Sequence, residues 1–80
     1  MDYNVYVLLS LKNNKRYVGY TGKAVDLRLK EHNSGKVKST KSRIPFEIIF
    51  YESYDDVYQA FNMERYYKTA KGKKELKLKI

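Results

Sequence analysis

The sequence predicts an α+β domain in which a small three-stranded antiparallel sheet is flanked by helices, in the order β-β-α-β-α. Three observations predict it. Two apolar, tyrosine-bearing runs bracket a polar knot in "VYVLLSLKNNKRYVGYT". A third run, "FEIIFYESY", is the strongest β-former in the chain. The segments after the second and third runs carry apolar residues at helical spacing. With 80 residues the expectation is one domain over 1–80 and a modest core.

The first strand is expected over 3–10, "YNVYVLLS", where β-branched and aromatic residues partly alternate. "KNNK" is a turn, because asparagine tolerates the left-handed region. The second strand is expected over 16–20. If Asn13 and Asn14 form the turn centre, Tyr6 and Tyr17 are roughly 13 Å apart along the strands, at about 3.3 Å per residue. A wider loop that sets Tyr6 opposite Tyr17 suits a shared site better. Both registers put the two tyrosines on one sheet face.

"TGKAVDLRLKEHNSG" reads as a helix capped by Thr21 or Gly22 and closed by Gly35. Val25, Arg28, Leu29 and His32 fall within an arc of about 100° on it, with Leu27 pointing away. Arg28 and His32 are therefore neighbours at the edge of its buried face. "KVKSTKSR" (36–43) is a basic loop, and Pro45 bars helix there. The third strand covers 46–54. Asp55 or Asp56 caps a helix from Val57 to Thr69 or Lys71. The tail "KGKKELKLKI" is read as a frayed helix or a short ordered extension.

Seventeen Lys and Arg face nine Asp and Glu, a net charge of +8, which favours a polyanionic partner such as nucleic acid or an anionic membrane surface over a neutral one. There is no cysteine, which removes disulfides and thiolate metal sites. A single histidine without cysteines excludes the usual zinc sets. No glycine-rich phosphate loop and no nucleophile elbow is present. No charged-then-apolar leader and no apolar run near the roughly 18 residues of a membrane span is found, so the expectation is a soluble, cytoplasmic protein.

Four features could carry chemistry, each beside a plainer reading. Tyr6 and Tyr17 share a sheet face, as core tyrosines also would. Arg28 and His32 suit phosphate binding, but equally a snorkelling arginine beside a half-buried histidine. Glu64 sits in the apolar stripe of its helix between Phe61 and Lys68. An intrahelical pair with Lys68 contributes only about 0.2–0.5 kcal/mol, so a metal ion or an arginine is the expected partner. The 36–43 loop, with Lys36, Lys38, Lys41 and Arg43, is either solvated or in contact with nucleic-acid phosphates, and Lys68 and Lys71 are further candidate nucleic-acid contacts. Together these groups suit phosphodiester hydrolysis: one carboxylate for Mg²⁺ (or Mn²⁺), an arginine for the phosphoryl oxygens, and a tyrosine for the water. That last role requires a phenol pKa well below about 10, which a nearby His, Arg and metal could bring about.

In this order the residues resemble the GIY-YIG nuclease superfamily, in its small single-domain bacterial branch. The naming elements correspond to "NVY" (4–6) and "YVG" (17–19), with Asn4 and Val5 in place of Gly and Ile. The likeness continues through "LRLKEHNSGKVKSTK", Pro45, "IIFYESY" and "AFNMERYYK". It implies the GIY-YIG endonuclease fold and divalent-metal-dependent cleavage of DNA. It also implies roles: Tyr6 as general base or water-orienting group, Tyr17 at the scissile phosphate or water, Arg28 on the phosphate, His32 activating a tyrosine, Glu64 as the metal ligand, and Gly19 allowing close backbone approach. Larger relatives add a DNA-recognition domain, and none is read here. The expectation is therefore low sequence specificity, on branched, nicked or distorted DNA in repair or recombination. The family's distal polar residue has no equivalent in "TAKGKKELKLKI". The alternatives are a non-catalytic nucleic-acid-binding module within a larger complex, or a basic interaction adaptor. The sequence does not fix the oligomeric state.

Overall fold

The computed structural model describes residues 2–80. Strands β1 (Tyr3–Ser10), β2 (Arg16–Thr21) and β3 (Phe46–Tyr54) form an antiparallel sheet in the order β2-β1-β3. Helices α1 (Val25–Asn33), α2 (Val57–Tyr67) and α3 (Ala70–Lys79) complete it, with a 3₁₀ turn at Lys41–Arg43. No helix among the described residues is long and apolar enough to cross a membrane.

β1 is central, and its alternation divides the molecule. Val5 and Val7 face α2 and α3 and pack with Ala60, Tyr67 and Leu76. Tyr6 and Leu8 face the other way and pack with Val25 of α1 and Phe46. β3 serves both cores through a bulge. Val7 pairs with Phe50 but Leu8 pairs with Ile48, so Ile49 is the extra residue. Phe46 and Ile48 thereby join the Tyr6 side while Phe50 and Tyr54 join the Val5 side.

The hairpin register is neither of those expected from sequence. Tyr6 pairs with Gly19 and Leu8 with Tyr17, two residues away from either alternative. The loop closes at Ser10 and Lys15, whose backbones bond at 2.9 Å, and Asn14 takes the left-handed conformation at φ 61°. Ser10 fixes this width. Its hydroxyl accepts from the Lys12 and Asn13 amides and donates to the Arg43 carbonyl at 2.6 Å. Parity is kept, so Tyr6 and Tyr17 still share a face.

α1 starts later than expected. Thr21 ends β2, where its Oγ1 accepts from the Lys23 amide, and Ala24 is the cap residue without a side-chain bond. Gly35 follows the helix at φ +84°, as a closing glycine should. Leu27 is exposed, as read. Asp56 caps α2 by accepting from the Tyr58 amide.

Of the two readings of the tail, a frayed helix or a short ordered extension, the helix is the one found, and it runs ten residues as α3. Thr69 caps α3 by accepting from the Gly72 amide at 3.0 Å, which also ends α2 before the expected Thr69 or Lys71. A Cβ on Gly72 would stand 1.8 Å from the Tyr66 carbonyl oxygen, so only glycine lets the two helices meet here.

Candidate active site

The site is built on the Tyr6 face from β1, β2, α1 and the 36–43 loop. Tyr6 is 1% exposed and His32 is fully buried. The Tyr6 hydroxyl lies 2.9 Å from His32 Nε2, and Arg28 Nε donates to the same oxygen at 3.2 Å. On the other side of the imidazole, His32 Nδ1 lies 2.8 Å from Thr40 Oγ1, and Thr40 Oγ1 donates to the Val37 carbonyl at 3.3 Å. One proton pattern satisfies all of these groups. Thr40 donates to Val37, His32 donates from Nδ1 to Thr40, and Tyr6 donates to the bare Nε2 while accepting from Arg28. The imidazole is therefore neutral. Burial is the main cause of its lowered pKa, about 4, with the positive charges of Arg28 and Arg43 adding to it against Glu31.

Arg28 is half-buried and held at two points, by the Tyr6 oxygen and by Glu31 Oε1, 3.1 Å from Nη1. Glu31 also accepts from Lys23 Nζ at 2.6 Å. Lys23 first and Arg28 second hold its carboxyl below the usual range, so it stays an anion that orients Arg28.

Gly19 faces Tyr6 across the ladder. A Cβ there would come within 2.7 Å of the Tyr6 hydroxyl oxygen and 2.8 Å of Cζ. The glycine of "YVG" thus leaves the space that the phenol fills.

The Tyr17 ring lies 6.4 Å from that of Tyr6 and 5.2 Å from the His32 ring. Its hydroxyl makes no hydrogen bond among the described residues. The Arg43 guanidinium stands 5.8 Å from its centroid and the Lys68 ammonium 6.0 Å.

The structure thus gathers Tyr6, Tyr17, Arg28, His32 and Gly19, and brings Arg43 and Lys68 to the rim. Lys36, Lys38 and Lys41 are exposed on the loop, and Lys71 is exposed on α3. None of these four forms an ion pair among the described residues.

Glu64 differs from expectation. Its partner is Lys68, with Nζ 2.8 Å from Oε1 and the carboxylate side chain 12% exposed. The same ammonium also stands over the Tyr17 ring. Glu64 therefore joins the site through Lys68. No group of three or more His, Cys, Asp or Glu that could hold a metal is found among the described residues. A lone carboxylate fits a cation that keeps its waters and takes substrate oxygens, as Mg²⁺ does, and not one that needs a full protein cage. Lys68 shows that the carboxylate accepts a cation.

One further sequence-based reading changes. Tyr6 has a raised pKa, not a lowered one. Burial pushes it up, and the Arg28 hydrogen bond and charge offset only part. Thr40 also belongs to the site, fully buried and holding His32. No local signal marks it, because it sits among exposed lysines and serines of a loop with no apolar periodicity.

Comparison with known proteins gives the family. The family model described as "GIY-YIG catalytic domain" matches residues 2–77. The chain is 40% identical over 71 residues to the UPF0213 protein YazA of Bacillus subtilis, covering 88% of this chain and 71% of that protein. It is 33% identical over 79 residues to the UPF0213 protein SSP2268 of Staphylococcus saprophyticus, covering 98% and 95%. The solution NMR structure of the UPF0213 protein BH0048 from Bacillus halodurans superposes with a TM-score of 0.55 at 34% identity, covering 95% of this chain and 82% of that one. The expected fold and family are both met: this chain belongs to the GIY-YIG family of nuclease domains.

Proposed function

We propose that the domain is a divalent-metal-dependent endonuclease that hydrolyses DNA phosphodiester bonds with low sequence specificity, acting on branched, nicked or otherwise distorted DNA in repair or recombination. The observation that carries this reading is the Tyr6 hydroxyl, which accepts from Arg28 and donates to a neutral, buried His32.

The raised phenol pKa makes a resting phenolate unfavourable, so the chemistry runs as a relay. A water beside the Tyr6 oxygen attacks phosphorus and gives its proton to that oxygen. In the same step Tyr6 passes its own proton to His32 Nε2. Thr40 holds Nδ1–H, which keeps Nε2 bare and aimed at the phenol. The P–O bond opposite the water breaks, and the leaving oxygen takes up a proton from solvent. Arg28, fixed by Tyr6 and Glu31, offers its remaining N–H groups to the phosphoryl oxygens. Tyr17 and Arg43 border the position of the reacting phosphate. Glu64 would hold Mg²⁺ or Mn²⁺ in place of the Lys68 ammonium, and such a cation would supply charge neutralisation to the phosphoryl transfer.

The test is cleavage of duplex, single-stranded, nicked, flapped and four-way DNA, and of RNA, with Mg²⁺, Mn²⁺ or EDTA. The expected result is metal-dependent cutting that is lost in Glu64→Ala. Salt-sensitive binding with no cutting of any substrate would replace this reading with that of a binding module.

A further inference from the structure

A second feature adjoins the site on its β2 side. A groove of about 590 Å³ runs between the free edge of β2 and α3. Val18 and Leu76 contribute apolar lining. Its cations are Lys15 and Arg16 from the hairpin, Lys73 and Lys77 from α3, and Lys68 where it meets the site, and no acidic residue lines it. Tyr17 and Lys68 belong to both groove and site.

The charge arrangement is unfavourable for the protein alone. Lys73 and Lys77 are like charges at i, i+4, a spacing that destabilises an isolated helix. Lys15 and Arg16 line the same slot from the hairpin. None of these four is in an ion pair among the described residues. α3 does find a carboxylate elsewhere, since Lys79 binds Glu52 at 2.8 Å. Unpaired cations lining one groove at the mouth of a phosphodiester site are matched by one kind of ligand, a chain of phosphates.

We propose that this groove binds the polynucleotide backbone beyond the scissile phosphate, so that the strand enters or leaves the site past Tyr17 and runs between β2 and α3. The proposal rests on the nuclease reading for the position of the reacting phosphate. It names Lys15, Arg16, Lys73 and Lys77 as backbone contacts, ahead of the exposed lysines of the 36–43 loop.

The experiment measures binding of a fluorescent oligonucleotide by anisotropy in EDTA across a salt series, with single-stranded and duplex probes to tell which form the groove takes. Lys73→Gln/Lys77→Gln is compared with Lys30→Gln/Lys74→Gln, which removes the same charge at exposed positions outside the groove. Glutamine keeps helix propensity, and far-UV circular dichroism checks the fold of both. The groove variant is expected to raise Kd about tenfold or more at moderate salt. It should flatten the log Kd against log salt slope by about 1.4–1.8, and the control by much less. Equal effects of the two variants would show a general charge effect and overturn the proposal, as would wild-type protein that does not bind. Binding needs no hydrolysis, so the two readings fail separately. Groove-dependent binding without cutting in any metal sinks the nuclease reading alone. Cutting with no difference between the variants sinks the groove alone.

Discussion

The two faces of the sheet each carry a pair of tyrosines around one polar centre, and they do opposite things. On the α1 face Tyr6 and Tyr17 surround a neutral imidazole beside an arginine. On the α3 face Tyr54 and Tyr67 surround a carboxylate, Glu52, which accepts from Lys79 at 2.8 Å and from Tyr67 at 3.1 Å. Tyr54 also donates to Glu52. Burial raises the phenols of Tyr6, Tyr54 and Tyr67 alike. The difference lies in the charged partners. At Tyr6 the next contribution is Arg28, which opposes the rise, and no carboxylate bonds the phenol. At Tyr54 it is Glu52, which adds to the rise, and at Tyr67 it is Lys79, which opposes it, with Glu52 adding behind. At Glu52 burial disfavours the anion, but hydrogen bonds from Lys79, Tyr54 and Tyr67 outweigh it and keep the carboxyl low. One network can pass a proton on, because its acceptor is an uncharged base. The other is a saturated anion whose donors are held in place, which anchors α3 to β3. The charge of the partner, not the presence of tyrosine, separates a relay from a lock.

This contrast breaks most visibly in kinetics. Tyr6→Phe should lower the cleavage rate about 10²–10⁴-fold, and it should also cost about 1–2 kcal/mol of stability, because the buried His32 Nε2 loses its donor. Single-turnover cleavage beside a melt checks both halves. If Tyr6→Phe kept its rate but lost stability, Tyr6 would belong to the same class as Tyr67.

pH is the next lever. His32 binds its proton less readily in the fold, at about 4, than in the unfolded chain at about 6.5. Between those values the unfolded chain holds more protons, so stability rises with pH across this window and is full above it. The shift corresponds to about 3 kcal/mol. Urea unfolding from pH 4 to 7 should show that slope in wild type and lose it in His32→Gln. Cleavage should fall with acid near 4, not near 6.5.

On the other face, Tyr67→Phe should cost about 1–2 kcal/mol of stability and leave the cleavage rate unaltered. It deletes a hydroxyl that donates to Glu52 and accepts from Lys79 at 2.9 Å. The smallest expected effect is at Thr40, a positioning residue. Thr40→Val should slow cleavage about tenfold and shift the acid limb of its pH profile, because Nδ1–H loses its acceptor, and Thr40→Ser should restore both. A pH profile unmoved by Thr40→Val would leave Thr40 with packing alone.

Much of this molecule was legible in its residues. The three strands were visible because β-branched and aromatic runs have few other uses. Arg28 and His32 were placed together by helical spacing, and the tyrosines by sheet parity. What was not legible depended on distant partners. The register is set by Ser10 reaching Arg43, and by the Leu11 amide bonding the Pro45 carbonyl at 2.8 Å. α3 was obscured because its buried contacts reduce to Gly72 and Leu76 among lysines, though the Thr69 cap was there to be read. Thr40 is buried by the loop that carries it, which no local pattern announces.

The central strand has one last consequence. β1 deals its side chains alternately to the two networks' sides of the sheet, so the ladder that folds the domain also aims its phenol. A one-residue insertion or deletion inside β1 would exchange Tyr6 with a valine, moving the relay into the apolar layer and the apolar layer into the site. The spacing of β1 is thus under a double lock. Length changes should be admitted in the 36–43 loop long before they are admitted in this strand, because a frameshifted ladder forfeits shape and reactivity in a single event.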